Sequence, residues 1–464
     1  MMDNPIVKPF IYKGCFYMYT PFSNNVVQIN CEQFKEIVEL KRVGIEQYRL
    51  KNSNSPHYSD ICNLIDSGLI TGPFIREVKH QATDNFTTIV NRRMQRLILQ
   101  VTQRCNFACR YCHKRHTESA RFDNEQSDMS LEVAKQSVDF FLTHSQDSEF
   151  INIYFYGGEP LLNFDLIKWV VEYITFRIHT KEINFHITTN ASLLTDAIAV
   201  FLAKYKFKVS ISLDGDRERQ NWARKFANGK PTFDVVWERV ETLLLNYKDS
   251  MDNIKFLPVI FIDEDRNRVL DFFSSHNILA NQIIFLDANT SGIDYSHGVV
   301  QTETSRAGVV STKFVDYDKV GEEEYRIFLT EYRNKHAIGG TWHHSGACIP
   351  GCFKLFVDTK GNFFPCENSP QYVNMCIGNL TDGINVRNAV SLLNIGRLTD
   401  KECKNCWAVR FCNMCMLYCV DEEKKCLSGK VKELNCGAFK RHLLKMFKKY
   451  IDEGNCSRGD NDDK

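Results

Sequence analysis

Three cysteines lie close together at Cys105, Cys109 and Cys112, with the spacing C-x3-C-x2-C. They directly follow residues 97–102, an apolar and β-branched run that predicts a β-strand. Thiolate is the usual protein ligand of iron in iron–sulfur clusters, so three thiolates on one loop favour such a cluster. A four-iron cluster needs four ligands, and three cysteines leave one iron open to a molecule from outside the protein.

Two other kinds of site fit part of this loop. Residues 109–113 match the C-x-x-C-H pattern of c-type haem attachment, but this interpretation leaves Cys105 unused and requires export. The N-terminus lacks the apolar core of a signal peptide. A zinc site would need a fourth nearby ligand, which His113 or His116 could supply.

Composition narrows the class of protein. Eighteen cysteines in 464 residues, without an export signal, favour metal or redox use over structural disulfides. The formal net charge of +1 gives no reason to expect nucleic acid or an anionic membrane as a partner. No apolar run of about 18 residues predicts a membrane span. We therefore expect a cytoplasmic protein.

Alternating strands and helices surround the cysteine loop. The predicted strands are 97–102, 151–156, 183–188, 209–213, 256–262 and 283–286. The predicted helices are 131–142, 166–176, 196–204, 235–247 and 268–273. This alternation is typical of a parallel βα array, and six repeats predict an α/β fold with a partial (β/α)6 TIM barrel. Chemistry in such barrels lies at the C-terminal ends of the strands, where the cysteine loop falls.

Further motifs follow the next three strands, and together with the loop they resemble the radical S-adenosylmethionine (SAM) enzymes. Residues 156–160, YGGEP, follow the second strand, and an aromatic residue precedes the third cysteine of the loop. The resemblance implies that the open iron binds SAM and that the reduced cluster cleaves it to a 5′-deoxyadenosyl radical. It also implies a set of residues around SAM, namely Tyr111, Gly157, Gly158, Glu159, Pro160, Thr188, Asn190, Ser212, Asp214 and Arg224.

A second group of cysteines begins at Cys348, and it resembles the SPASM extension of radical SAM peptide maturases. That resemblance implies two auxiliary [4Fe–4S] clusters. The implied ligands are Cys348, Cys352, Cys366 and Cys415 for the first cluster, and Cys403, Cys406, Cys412 and Cys436 for the second. The family pattern has three residues between Cys412 and the crossing cysteine, whereas Cys415 follows after two and leaves Cys419 as an alternative. A zinc ribbon would separate its cysteine pairs by about 15–20 residues.

Glu367 directly follows Cys366. Sulfatase maturases of this group place an aspartate there as a base, so the resemblance implies that Glu367 accepts a proton during catalysis. The alternative is a solvated loop carboxylate.

Residues 8–80 predict two or three short strands followed by helices, a winged-helix-like pattern. It resembles the element with which peptide-modifying radical SAM enzymes bind the leader of a precursor peptide as an added strand. A plain N-terminal extension that packs on the barrel, or a DNA-binding winged helix, are the alternatives.

The predicted organisation has five parts: a leader-binding domain 1–88, the barrel 89–320, a bridging segment 321–345, a SPASM domain 346–445 and a flexible tail 446–464. The segment 403–412 resembles maturases of cysteine-rich ribosomal peptides. It implies a thioether-forming maturase with three [4Fe–4S] clusters, SAM, a precursor peptide and an electron donor such as flavodoxin or ferredoxin. The alternatives are a formylglycine-type or carbon–carbon crosslinking maturase, and a non-catalytic, zinc-stabilised peptide-binding module.

Overall fold

The computed structural model describes residues 5–71, 75–112, 127–247, 253–261, 265–278, 282–284, 286–287, 322–334, 338–344, 348–454 and 457–458. The strands are β1 (Lys8–Tyr12), β2 (Cys15–Thr20), β3 (Asn25–Ile29), β4 (Ile75–Val78), β5 (Arg96–Thr102), β6 (Phe150–Gly157), β7 (Glu182–Thr189), β8 (Lys208–Ile211), β9 (Ile254–Phe256), β10 (Val259–Ile260), β11 (Leu286–Asp287), β12 (Gly340–Trp342), β13 (Leu355–Val357), β14 (Asn362–Phe364), β15 (Gly378–Asn379), β16 (Gly383–Ile384), β17 (Val420–Asp421), β18 (Cys426–Leu427) and β19 (Ser457–Arg458).

The α-helices are α1 (Cys31–Val43), α2 (Ile45–Lys51), α3 (Tyr58–Asp66), α4 (Phe86–Arg92), α5 (Leu131–Thr143), α6 (Phe164–Arg177), α7 (Asp196–Lys204), α8 (Arg217–Ala223), α9 (Phe233–Asn246), α10 (Asp265–Ser275), α11 (Glu322–Arg333), α12 (Val386–Leu393), α13 (Asp400–Lys404) and α14 (Gly429–Asp452). Among the described residues, no helix is both long and apolar enough to cross a membrane.

The largest sheet among the described residues has the strand order β16-β15-β14-β13-β5-β6-β7-β8-β9. Strands β5 to β9 are all parallel, with helices between them, so the predicted α/β fold is confirmed. Strand β5 is buried at six of its seven positions, as expected for a parallel strand covered on both faces. The sheet is open, since β9 and β16 form its two edges.

The fifth predicted strand, 256–262, is divided into β9 and β10. Pro258 lies at the break, and proline lacks the N–H that a continuous ladder would use. Beyond the break, β10 pairs in parallel with β11, and Ile283 forms a parallel bridge with Phe256. The predicted sixth strand therefore continues the parallel array, through a bridge and a short pair.

The C-terminal cysteine region shares this sheet. Strand β13 pairs in parallel with β5, and β14, β15 and β16 extend the sheet from there as antiparallel strands. Residue Phe356 lies opposite Ile98 in the register of β13 and β5. Cys366, two residues after β14, is therefore fixed close to the first strand of the barrel.

The N-terminal part contains the antiparallel sheet β1-β2-β3 followed by α1, α2 and α3, so its predicted strands and helices are present. Its own apolar core includes Ile37, Leu40 and Tyr48. Whether this unit binds a leader remains a prediction. Strand β4 lies outside it and pairs with β12, and the predicted boundary between residues 88 and 89 falls within α4.

The predicted flexible tail, 446–464, is wrong at its start. Helix α14 continues to Asp452, and Phe447 is fully buried. The Phe447 ring lies 4.6 Å from the ring of Tyr19 in β2, measured between centroids. The lysines around residue 447 lie on a helix whose other face packs on the N-terminal sheet.

Candidate functional site

The cysteine loop begins where β5 ends. Cys105, Cys109 and Cys112 are all partly buried and follow Thr102, the last residue of the strand. Three backbone hydrogen bonds, of 2.7, 2.8 and 2.9 Å, join the loop to the segment 223–227. The loop is therefore held on both sides by ordered backbone.

The three thiols of the loop act on one another electrostatically. The pKa of the Cys109 thiol is raised to about 12, with burial as the main cause, the charges of Cys112 and Cys105 adding to the rise and Arg224 opposing it. Cluster ligands must be thiolates, and iron supplies the positive charge that compensates them. Three mutually close thiols beside one fixed cation fit a cluster-binding loop.

A single metal ion requires a tighter arrangement of ligands. Within the described ranges, no three His, Cys, Asp or Glu side chains could hold one metal ion. The ligands of a four-iron cluster bind separate irons and so stand further apart than the ligands of one ion. The zinc candidates His113 and His116 lie outside the described residues.

Gly157 and Gly158 allow β6 to approach the backbone that enters the loop. A Cβ atom on Gly157 would lie 2.2 Å from the Thr102 carbonyl oxygen, and one on Gly158 would lie 2.2 Å from the Arg104 carbonyl oxygen. The Gly158 N–H donates to the Thr102 carbonyl at 3.0 Å. We expected the glycines to admit a ligand, whereas the close approach in the structure is between two strand ends.

Glu159 joins the ends of β6 and β7. Its carboxylate accepts hydrogen bonds from the Thr189 hydroxyl at 2.6 Å, the Asn190 N–H at 2.7 Å and the Leu161 N–H at 3.1 Å. Burial raises the pKa of Glu159 to about 7, and the three donors oppose that rise. Pro160 begins the short 3-10 helix that Glu159 caps. The carboxylate is thus occupied by protein groups, and contact of the motif with SAM remains a prediction.

Asn190 connects the end of β7 to the cysteine loop. Its Nδ2 donates to the Asn106 side-chain oxygen at 2.9 Å, and its own oxygen accepts from the Ser192 hydroxyl at 2.7 Å. Thr188 and Ser212 also lie at strand ends, both half-buried. Asn190 therefore positions the loop, while roles for Thr188 and Ser212 in binding SAM stay predictions.

Asp214 is the centre of a buried network behind the loop. It accepts from Arg224 Nε at 2.9 Å and Nη2 at 3.0 Å, from the Tyr111 hydroxyl at 2.8 Å and from the Val259 N–H at 2.9 Å. Burial opposes the charge of Arg224, but Asp214 raises the pKa of Arg224 above its usual value. We expected Arg224 to contact SAM, and two of its three guanidinium nitrogens are taken by Asp214. The network holds Tyr111, and with it the loop.

Tyr156 is a residue that the sequence analysis did not single out. It is the last residue before Gly157 in β6, and its hydroxyl is buried. Burial, Glu367, Cys112 and Cys366 all raise the pKa of Tyr156. Tyr156 therefore lies near both the cysteine loop and Cys366. In the sequence, the only sign that Tyr156 belongs to the site is its position directly before the two glycines.

Glu367 forms an ion pair with Lys354, with Nζ–Oε distances of 2.8 and 3.2 Å. Both side chains are about one fifth exposed, at 21% and 22%. Burial lowers the pKa of Lys354, but Glu367 raises it more, and the pKa lies above its usual value. Glu367 is thus a paired, largely buried carboxylate rather than a solvated one.

Cys348, Cys366 and Cys415 form one electrostatic group. The pKa of Cys366 is raised to about 12, mainly by burial, with smaller contributions from the charges of Glu367 and Cys415. The charge of Cys348 acts in the same way on Cys415, whose pKa burial raises. Cys419 is fully buried and donates to the Cys415 carbonyl at 3.7 Å. This grouping favours Cys415 as the crossing ligand.

Cys352, predicted as a ligand of the same cluster, points elsewhere. Its Sγ donates to the Arg93 carbonyl at 3.0 Å, and the side chain is buried at the start of the barrel. Burial raises the pKa of Cys352 to about 11, and Arg93 lowers it. The hydrogen-bonded turn 349–354 directs this side chain toward Arg93. Spacing in the sequence could not reveal that turn.

Cys403, Cys406, Cys412 and Cys436 form the second C-terminal group. Burial raises the pKa of Cys412, and Cys406, Cys436 and Cys403 raise it further. Helix α13 carries Cys403, and α14 carries Cys436. The four predicted ligands are therefore brought together by two helices and the loop between them.

Buried polar groups near the second group lack partners. Trp342 Nε1 and both ring nitrogens of His344 have no hydrogen-bond partner among the described residues. Trp342 packs against the same apolar cluster as Cys403 and Cys406. Buried polar atoms in proteins are normally hydrogen-bonded, so an unpartnered Trp342 N–H in the apolar cluster that contains Cys403 and Cys406 fits a group with acceptor atoms, such as the sulfides of an iron–sulfur cluster.

Comparison with known proteins agrees with this geometry. Residues 99–273 match the model of the radical SAM superfamily. The chain is 39% identical over 139 residues to the uncharacterized protein MJ0907 of Methanocaldococcus jannaschii, an alignment that covers 30% of this chain and 45% of that protein. It is 22% identical over 355 residues to the radical SAM cyclopropyl synthase TigE of Paramaledivibacter caminithermalis, covering 70% of this chain and 68% of TigE.

A solved structure shares the fold. The structure of anSMEcpe with bound AdoMet and Cp18Cys peptide superposes with a TM-score of 0.51 at 19% identity, covering 78% of this chain and 99% of that one. The superfamily match spans strands β5 to β9 and helix α10, which together carry the cysteine loop and the residues around it. A domain of this kind uses SAM and a [4Fe–4S] cluster. Residues 99–273 of this chain therefore form a radical SAM domain, the domain that defines this superfamily of enzymes.

Proposed function

We propose that this protein is a radical SAM maturase that joins a cysteine sulfur of a peptide to a carbon atom of the same peptide. The observation that carries the proposal is the position of Tyr156, whose hydroxyl lies within electrostatic range of Cys112 in the loop and of Cys366 and Glu367 in the C-terminal region. The radical-generating loop and the C-terminal cysteines thus border one reaction space.

The residues that would hold the cofactors follow from the three cysteine groups. Cys105, Cys109 and Cys112 would hold the cluster that binds SAM. The auxiliary clusters would be held by Cys348, Cys366 and Cys415, and by Cys403, Cys406, Cys412 and Cys436. When bound, SAM and the clusters supply a 5′-deoxyadenosyl radical and take up the electron that remains after sulfur–carbon bond formation.

The protein contributes a base and an ordered environment. Glu367 is available to accept the proton of the substrate thiol. Lys354 keeps that carboxylate in place through two hydrogen bonds. Tyr156 forms a wall of the same space, and burial around it excludes water from a reactive radical.

The substrate is a precursor peptide whose leader binds the N-terminal unit. The sheet has the strand order β1-β2-β3-β19, so β3 is already paired with β19, and β1 is the edge strand at which a leader strand would be added. The structure of anSMEcpe, which shares this fold, was solved with a bound peptide, and this supports a peptide substrate. An external electron donor such as flavodoxin or ferredoxin would reduce the SAM-binding cluster.

A second candidate is a maturase that forms a carbon–carbon bond. TigE, which aligns over 70% of this chain, is named as a cyclopropyl synthase. A formylglycine-type oxidation would use the same Glu367. All these reactions begin with abstraction of a hydrogen atom from a carbon of the substrate. They differ in the atom that then bonds to that carbon: sulfur in a thioether, carbon in a carbon–carbon crosslink and oxygen in a formylglycine.

Mass spectrometry of a co-expressed peptide separates the candidates. The protein is produced anaerobically with a short, cysteine-rich precursor peptide and an active cluster-assembly system. A thioether removes two hydrogens per bond and protects one cysteine from iodoacetamide, whereas a carbon–carbon bond also removes two hydrogens but leaves every cysteine reactive.

The Cys105/Cys109/Cys112→Ala variant is the matched control, since it lacks the loop thiols and keeps the peptide-binding unit. We expect no modification by this variant. A peptide with two hydrogens fewer and all its cysteines alkylated would contradict thioether formation and favour the second candidate. Release of no 5′-deoxyadenosine by the wild type, with zinc bound in place of iron, would instead favour the non-catalytic module.

A further inference from the structure

A lysine in the C-terminal helix contacts a cysteine of the second auxiliary group. Lys432 Nζ lies 3.0 Å from Cys403 Sγ and 2.5 Å from the Thr399 hydroxyl oxygen. The Thr399 hydroxyl lies 3.4 Å from the same sulfur. Because Thr399 accepts from Lys432, its own hydrogen can be donated to Cys403. Two donors therefore converge on one sulfur.

The position of Lys432 contradicts two ordinary preferences of lysine. Only 1% of Lys432 is exposed, although lysine is almost never fully buried unless it is paired. Lys432 also lies in the first turn of α14, where the helix dipole disfavours a positive charge. Among the described residues, Lys432 forms no ion pair with a carboxylate. Its compensating charge must come from thiolates.

The local backbone is built to hold Lys432 there. Ser428 caps α14 by accepting from the Val431 N–H. Gly429 is the first residue of the helix, and a Cβ atom on it would lie 2.6 Å from the Leu398 carbonyl oxygen. Without a side chain at residue 429, the helix can begin directly against the segment that carries Thr399. The side chain one turn later then reaches Cys403.

We propose that Lys432 is a positioning residue that donates a charge-assisted hydrogen bond to the Cys403 thiolate and raises the reduction potential of the cluster held by Cys403, Cys406, Cys412 and Cys436. The inference rests on the proposed function, because it requires that this cluster is bound. Reduction adds negative charge to a cluster, and a buried cation with hydrogen bonds to a ligand sulfur stabilises the reduced form.

Beside the first auxiliary group, in contrast, the lysine that the structure describes is compensated by a carboxylate. This lysine, Lys354, is paired with Glu367 at 2.8 Å. The positive charge there is largely cancelled, so it stabilises a reduced cluster less. The second cluster is therefore the better electron acceptor of the two, and an electron removed during peptide oxidation collects on the side of α13 and α14.

The test is a redox titration monitored by electron paramagnetic resonance. It uses the full chain with Cys105/Cys109/Cys112→Ala as background, anaerobically reconstituted, so that only the auxiliary clusters report. Lys432→Met should lower one of the two midpoint potentials. We expect the ratio of reduced to oxidised cluster, at a fixed applied potential, to fall at least tenfold, which is about 59 mV for a one-electron couple.

Matched variants separate charge from packing. Lys432→Arg should keep most of the potential, since it keeps the cation. Lys430→Met, an exposed lysine on the same helix, should leave both potentials unchanged. Thr399→Val removes one donor and keeps the lysine, and it should lower the same potential by a smaller amount. If Lys432→Met does not retain its iron, the potential measured for Thr399→Val tests the proposal instead.

Measuring the iron content distinguishes a failure of the proposed function from a failure of the proposed role of Lys432. A background protein without about eight irons per chain would contradict the proposed function, since two auxiliary clusters would not be bound. Full iron with unchanged potentials in both Lys432→Met and Thr399→Val would overturn the role of Lys432 while leaving the proposed function intact.

Discussion

The barrel end and the C-terminal cysteine region satisfy their buried polar groups in different ways. In the barrel, Asp214 accepts from Arg224, Tyr111 and a backbone N–H, so every member of the network has a protein partner. In the C-terminal region, His344 has no partner among the described residues for either ring nitrogen, and Lys432 is paired with a thiol. The barrel end is thus pre-formed by its own chain, whereas the second cysteine group leaves buried groups that the proposed cluster would contact.

The largest difference should appear in hydrogen exchange with and without clusters. Residues 399–436 gain bonds to the cluster on loading, so their amides should exchange at least about a hundredfold more slowly in the loaded protein. Strands β5 to β8 should change by less than about tenfold. Exchange measured by mass spectrometry on both forms checks this. If cluster loading protected residues 399–436 and strands β5 to β8 equally, the proposed difference between the two regions would be wrong.

Breaking the Asp214 network should have the second largest effect, a loss of stability. Asp214→Asn turns an acceptor into a donor that faces Arg224 and Tyr111, and it leaves a buried cation uncompensated. We expect the free energy of unfolding of the metal-free protein to fall by about 3 kcal/mol. Urea unfolding measures this. Asp234→Asn is the control: that exposed residue pairs with Arg217, and its replacement should cost less than about 1 kcal/mol.

Glu367→Gln tests the paired carboxylate of the first auxiliary group. Removing a general base slows the step that it serves, so peptide product should fall about a hundredfold. Release of 5′-deoxyadenosine should continue, because the cysteine loop is intact. Product quantified by mass spectrometry beside 5′-deoxyadenosine by chromatography checks both. A parallel loss of the two products would mean that Glu367 supports the radical site rather than the peptide.

The smallest effect concerns His186, a barrel histidine whose Nε2 lies 3.4 Å from the Asn152 side-chain oxygen, whereas neither ring nitrogen of His344 has a hydrogen-bond partner among the described residues. The His186 ring stacks on Tyr154 with a centroid distance of 3.9 Å. Burial, Lys208 and Arg96 lower the pKa of His186 to about 3. The neutral ring therefore stabilises the fold fully above about pH 6.5, and this contribution is lost as pH falls from there toward 3.

Comparison with His186→Gln measures that contribution. The stability difference between wild type and variant should shrink by about 1–2 kcal/mol from pH 7 to pH 5, because the unfolded chain binds the proton and the folded chain does not. His179→Gln, at an exposed position, is the control. A difference that stays constant with pH would show that the ring is solvated enough to titrate normally.

The sequence predicts the barrel well because its signals are local. The cysteine spacing, the YGGEP motif and the alternation of strands and helices each lie within a few residues, and the structure has them at the C-terminal ends of parallel strands. The ion pair of Asp214 with Arg224 was missed because it forms across α8, ten residues apart. Motif spacing shows which residues lie at a site, and not which of them bind each other.

The C-terminal region is predicted less completely. Cys352 has suitable spacing for a ligand, but a turn directs it to the Arg93 carbonyl. Lys432 lies in a helix with several other lysines, and nothing in the pattern distinguishes the buried one. Its burial depends on Gly429 and Thr399, which belong to different elements. Contacts of this kind arise only when distant segments pack.

Iron and acid-labile sulfide per chain test the central claim most directly. The protein is purified and reconstituted without oxygen, beside the Cys105/Cys109/Cys112→Ala variant. One cluster in the barrel and two in the C-terminal region predict about twelve irons in the wild type and about eight in the variant. About four irons in the wild type, falling to none in the variant, would contradict the account, because the C-terminal cysteines would then hold no clusters.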